Sequence, residues 1–153
     1  MEAFLLIVIL VTVAIGVYSW SSRLRSRSSG GPAGRISGPG DYEVDVVGES
    51  HYQDALERIC DGRTDESAEK YVDAALILED DNRHDRKAVR VDIEGRTVGY
   101  LSREFARSYR DRLKQAGHPD LVGICKAVIV GGWDRGKRGR GHFGVRLDLP
   151  YED

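Results

Sequence analysis

Apolar and polar positions follow three different regimes along this chain. Residues 4–20, FLLIVILVTVAIGVYSW, run without a charge. Residues 21–40 are a mixture of Ser, Gly, Pro and Arg with no hydrophobic period. From residue 41 onward short alternating runs and two helical periods succeed one another. YEVDVVG (42–48) alternates as a strand and ends at a Gly. Ser50 and Gln53 match an S-x-x-Q capping box, and Tyr52, Ala55, Leu56 and Ile59 share one face of the helix it opens, which stops near Gly62. Residues 69–79 predict a second strand, and AVRVDI and RTVGYL predict a hairpin around Glu94-Gly95. Ser102 caps a helix through Gln115 that buries Phe105, Tyr109 and Leu113, with Gly117 after its end. LVGICKAVIV (121–130) is a well-buried strand, GGWDRGKRGRGHFG a loop, and VRLDLP (145–150) a closing strand. The pattern predicts a mostly β fold with two helices: a small, curled β-barrel of about six strands.

The uncharged run at residues 4–20 carries the strongest topological signal. At 1.5 Å per residue, residues 4–20 form a helix of roughly 25 Å, close to the hydrocarbon thickness of a bilayer. Tyr18 and Trp20 stand at one end, where amphipathic rings favour the interface. Arg23, Arg25 and Arg27 follow the run and no Lys or Arg precedes it, which orients the remainder toward the cytoplasm. The expectation is a single-pass anchor at 4–20 in the cell membrane, a flexible linker at 21–40, and one domain at 41–153 facing the cytoplasm. A cleaved secretory signal is the alternative, with Ala14-Ile15-Gly16 as its small-x-small site.

The chain carries 23 Lys/Arg and 25 Asp/Glu, a net of −2, which argues against coating nucleic acid by charge alone. Residues 41–81 are strongly acidic, while residues 82–153 carry an excess of Lys and Arg. Interleaved strands would average these charges; otherwise one face is basic. Cys60 and Cys125 lie in apolar periods with no CxxC, as buried free thiols of a reducing compartment do.

Catalytic motifs are missing from the pattern. Residues 131–137 fit G-x-x-x-x-G-K, but Arg138 replaces the Ser/Thr that should hold Mg²⁺, and GRGHFG follows instead of a helix. His51, His84, His118 and His142 show no HExxH or paired Cys/His spacing, so zinc is weakly supported; it would need His51, Cys60, His84 and Asp85 to converge. No nucleophile elbow is present. The chain reads as a non-enzyme that needs no cofactor.

One connection stands out: EDDNRHDRK (79–87), nine polar residues without Gly or Pro between two apolar runs. Extended to LEDDNRHDRKAVRVDIEGRTVGYLSREFA, it resembles the HIRAN domain. The matching residues are Asn82, Asp85, Ala88, Val89 and Val91, then Gly95, Val98, Gly99, Tyr100 and Leu101. The upstream VVGESHY is similar to that family's first strand and aromatic segment, and the resemblance spans residues 42–150. It implies an OB-like barrel of the kind found beside Swi/Snf-type translocases, binding single-stranded DNA at a free 3′ end. By resemblance Asp85 would accept the terminal 3′-hydroxyl, His84 and the pair His51 and Tyr52 would stack on bases, Tyr100 and Arg103 would hold the strand's end and phosphates, and Asn82 of the same turn would belong to the nucleic-acid-binding set. Ser50 stands where that family has an Arg.

Physical chemistry supports the turn separately. A carboxylate is acceptor-only, so it can receive a terminal hydroxyl and would repel a phosphate. Asn82 and Asp85 can equally serve only to build the turn. The glycine-rich loop is a weaker candidate, with Trp133 for stacking and Arg135, Lys137, Arg138 and Arg140 for phosphates, or a merely solvated tip. The expected partners are single-stranded DNA or another nucleic acid, the membrane, and a helicase or other protein that would supply any ATP-driven step. The alternative is a protein-interaction module using the barrel groove at the membrane face.

Overall fold

Alternation in the middle of the chain produces the strand on which everything else is built. In the computed structural model, which describes residues 31–150, Ala68–Glu79 form one strand of 12 residues. In chain order the elements are β1 (Ala33–Arg35), β2 (Val44–Asp45), α1 (Gln53–Ile59), β3 (Ala68–Glu79), β4 (Ala88–Ile93), β5 (Arg96–Tyr100), α2 (Arg103–Gln115), β6 (Val122–Gly131) and β7 (Phe143–Asp148). The described chain is therefore mostly β with two α-helices.

The sheet runs β2-β7-β6-β3-β4-β5, each neighbour antiparallel to the next. It curls until its ends meet: Val47 N–H donates to Tyr100 O at 2.8 Å, and Tyr100 N–H returns to Val47 O at 2.9 Å. Gly99 permits this approach. Its φ is +155°, and a Cβ there would fall 2.6 Å from the Val47 carbonyl oxygen. Glu94 and Gly95, with φ of 51° and 72°, make the tight hairpin between β4 and β5 that the sequence predicts.

Inward positions of the alternating strands fill one core. β4 contributes Val89, Val91 and Ile93, β6 contributes Cys125, Ala127 and Ile129, and β7 contributes Phe143, Val145 and Leu147. Leu56 and Ile59 close it from α1, and Ala106, Tyr109 and Leu113 from α2. Each fully buried aliphatic side chain contributes about 1.5–3 kcal/mol before the entropy of ordering is set against it. Burial raises the Cys125 thiol to about 12. Cys60 is only half-buried, and desolvation raises it too.

Two sequence expectations differ from the structure. The six-strand path is as expected, and a seventh strand joins it because residues 33–35, expected within the flexible linker, pair parallel with Val122–Ile124 of β6. Val122 N–H donates to Pro32 O at 2.9 Å and Ile36 N–H to Ile124 O at 2.8 Å, so this strand is specified by the open edge of β6. Ser50 does not cap α1. A short 3-10 turn, Glu49–His51, leads to Tyr52 as N-cap without a side-chain bond. Gln53 instead bridges to β7, donating to Phe143 O at 3.0 Å and accepting from Phe143 N at 2.8 Å. By contrast Ser102 does cap α2, accepting from Phe105 N at 3.2 Å. The expected membrane anchor at 4–20 lies outside the described residues; among those described, no helix is long and apolar enough to cross a membrane.

Candidate nucleic-acid interface

The charged connection between β3 and β4 is a turn constructed from its own side chains. Asn82 Oδ1 accepts from the backbone N–H of His84 at 2.9 Å and of Asp85 at 3.2 Å, an Asx turn that replaces Gly or Pro. Asn82 Nδ2 donates to Glu79 Oε2 at 2.7 Å, fastening the turn to the end of β3. Asp85 Oδ1 accepts from Lys87 N at 2.9 Å, and Asp85 O accepts from Ala88 N at 2.9 Å. The donation from Lys87 holds the Asp85 carboxyl below the usual carboxylate range, assisted by the nearby Arg107 and Arg103.

Behind the turn lies a partly buried polar lattice on the outer face of the sheet. Arg90 on β4 donates to Glu79 Oε1 at 2.7 Å and to both oxygens of Asp92, at 2.9 and 3.1 Å. Burial opposes the Arg90 charge, but the hydrogen bonds and charges of Asp92 and Glu79 outweigh it and hold the guanidinium above its usual range. Tyr100, opposite Arg90 in the β4–β5 register, is pushed up to about 12 by burial, then by Glu79 and by the adjoining Tyr52 phenol. Tyr52, Asn82, Asp85 and Tyr100 therefore gather at one end of the barrel, linked through Glu79.

Helix α2 brings three arginines, 103, 107 and 110, along the side of this turn. Arg110 is the brace: its guanidinium donates to Lys87 O at 2.9 Å, Ala88 O at 2.9 Å and Asp80 Oδ1 at 2.7 Å. Arg107 reaches Asp85 Oδ2 at 3.4 Å, and Arg103 is exposed at the first helical position. Of these residues the sequence pattern pointed to Arg103 and not to Arg107, Arg110 or Arg90. Its missed signal was the i, i+4, i+7 spacing of the three arginines, which puts them on one face of a helix. His51 and His84 are both exposed, one on the 3-10 turn before Tyr52 and the other at the tip of the Asx turn. Among the described residues no group of three or more His, Cys, Asp or Glu is arranged to hold a metal, so His51, Cys60, His84 and Asp85 do not converge as ligands.

The glycine-rich loop is elsewhere. It leaves β6 beside Ala68, the first residue of β3, whereas the Asx turn follows Glu79, the last. At ~3.3 Å per residue these points are up to ~36 Å apart along the strand. Within the loop, Arg135 lies over the Trp133 ring at 4.8 Å and donates to Asp65 O at 3.1 Å, and Arg140 pairs with Asp134 at 3.0 Å. The side chains of Lys137 and Arg138 point outward, with no hydrogen-bond or ion-pair partner among the described residues. Asp134 accepts from Gly136 N, which lowers its carboxyl from the usual value, with Arg140 adding to the effect. Asp134 N–H donates to Thr64 O at 2.6 Å and Arg63 donates to Gly141 O at 2.6 Å, folding the loop back onto the entrance of β3. Comparison with protein-family models, with curated proteins and with solved structures gave no match.

Proposed function

We propose that this chain is a non-catalytic, OB-like nucleic-acid-binding domain of the HIRAN type that takes the 3′ end of a DNA single strand at the Asx turn, and that residues 4–20 tether it to the cytoplasmic face of the cell membrane. One observation carries the reading: Tyr52 and Tyr100, from two distant segments, adjoin Glu79, and Glu79 holds Asn82 of the Asx turn that contains Asp85, with Arg103 and Arg107 beside Asp85. Aromatic faces for bases, cations for phosphates and an acceptor-only carboxylate are the groups that a strand with a free hydroxyl end requires. ATP-driven work, where it occurs, belongs to a partner such as a helicase.

A second reading, a protein-interaction module using the barrel groove, is favoured by Asp80 and Asp81, exposed acids at the same turn that oppose phosphate. The test that separates the two compares binding of single strands ending in 3′-hydroxyl and in 3′-phosphate. Preference for the hydroxyl end supports the first reading, and equal absence of binding to both supports the second. The tether is tested by carbonate extraction of the membrane fraction. A mature chain released outside the cell and beginning after residue 16 would overturn it.

A further inference from the structure

Arg107 and Arg110 lie on the same side of α2 and address the same turn, yet they are held very differently. Arg110 is largely buried and makes three hydrogen bonds, two of them to backbone carbonyls. Arg107 is 45% exposed and meets Asp85 through Nη1 alone, at 3.4 Å. The same Nη1 donates to Arg103 O at 2.9 Å, the shorter of its two contacts. A guanidinium has five N–H donors, and those on Nε and Nη2 of Arg107 have no partner among the described residues. Asp85 shows the complementary arrangement. Its Oδ1 is committed to Lys87 N, while its Oδ2 has only the long contact to Arg107.

An exposed, single-point ion pair of this length is weak, whereas a guanidinium facing a phosphate can form two parallel, charge-assisted bonds. A phosphodiester arriving beside the turn therefore offers Arg107 better geometry than Asp85 does. We infer that Arg107 is a phosphate-binding residue of the strand-end site: in the free protein it covers Asp85 Oδ2, and on binding it transfers to the last internucleotide phosphate and leaves Oδ2 to accept the 3′-hydroxyl. This inference rests on the strand-end reading proposed above. It adds a consequence that Asp85 alone does not have. Arg107 offsets part of the repulsion between Asp85 and a terminal phosphate, so the cation lowers discrimination while raising affinity.

The test measures anisotropy of the full chain with labelled oligothymidine ending in 3′-hydroxyl or 3′-phosphate, for wild type, Arg107→Gln and Arg107→Lys, with thermal unfolding of each. Arg107→Gln is expected to weaken hydroxyl-ended binding by about tenfold and to flatten the log–log salt dependence by ~0.7, the loss of one single-strand phosphate contact. It should also raise the ratio of hydroxyl-ended to phosphate-ended affinity, with the melting temperature unchanged. Arg107→Lys should keep the salt slope but recover only part of the affinity, because a point charge does not bridge two oxygens. If wild type prefers hydroxyl ends while Arg107→Gln changes neither slope nor ratio, this inference falls and the strand-end reading stands. Equal losses for both ends together with a lower melting temperature would assign Arg107 to the fold and overturn the inference. A wild type without end preference would remove the strand-end reading and this inference with it.

Discussion

The two charged connections beside the ends of β3 differ in composition, one free of glycine and the other glycine-rich, and in organisation. Between β3 and β4, polar side chains bond outward from the turn to other elements: Asn82 to the Glu79 carboxylate, Arg110 of α2 to the carbonyls of Lys87 and Ala88, and Glu79 onward to Arg90. Between β6 and β7 the charges bond mainly within the loop or to residues 63–65 beside it, and Arg135 rests on Trp133. The first connection is braced by β3, β4 and α2 and presents fixed groups. The second is held by its own ion pair and by bonds to residues 63–65, and presents two outward cations. A run of charged letters therefore says little about availability. What decides is whether neighbouring elements supply partners.

Arg90 is where the two connections should differ most. Arg90→Met leaves Glu79 and Asp92 partly buried without their cation and is expected to cost about 2–4 kcal/mol, read by urea unfolding. Arg135→Ala in the loop should cost less than about 1 kcal/mol by the same measurement, since it loses one exposed cation–π contact and one hydrogen bond. Similar costs for the two would erase the distinction between a turn braced by partly buried ion pairs and a loop held by exposed contacts.

Removing the brace itself comes next. Arg110→Ala should destabilise by about 1.5–3 kcal/mol, because Lys87 O and Ala88 O lose a charged donor. Amide exchange across residues 80–87 should accelerate while exchange in the loop at 132–142 stays unchanged. Acceleration in both would mean that the two ends of β3 are not independent.

At the strand-end site the expected effects are smaller. Asp85→Ala should weaken hydroxyl-ended binding by about tenfold, while Asp85→Asn should narrow the difference between hydroxyl and phosphate ends. The folded pKa of Asp85 is depressed, chiefly by the Lys87 N–H, so its contribution to stability is present above the usual carboxylate range and lost as pH falls through the folded value. The stability gap between wild type and Asp85→Ala should accordingly be constant at neutral pH and shrink only in that acidic window. A gap that instead grew on acidification would contradict the sign.

The smallest effect is assigned to the loop. Neutralising Lys137 and Arg138 together should flatten the salt slope by at most ~1.4, two single-strand contacts, and adding Arg135 and Arg140 should change it little because both are already paired. A loss near ~2.8 for all four would show that the internal pairs open for nucleic acid.

Local pattern alone determined the elements whose signals are short-range. Alternation in β3 and β4, the Glu94-Gly95 turn and the Ser102 cap of α2 are set by periods and by side-chain-to-backbone bonds spanning a few residues. Asn82 and Asp85 as turn builders were legible for the same reason. Tertiary structure decided what depends on partners distant along the chain. β1 exists because β6 leaves an edge open, and no period in residues 31–40 encodes it. Gln53 bonds Phe143, 90 residues away, instead of closing a capping box with Ser50. Arg110 is a brace and Arg107 a loosely held neighbour of Asp85 only because α2 packs beside the turn. Sequence specifies what each residue can bond, but which bond forms is settled when the fold delivers a better-placed partner.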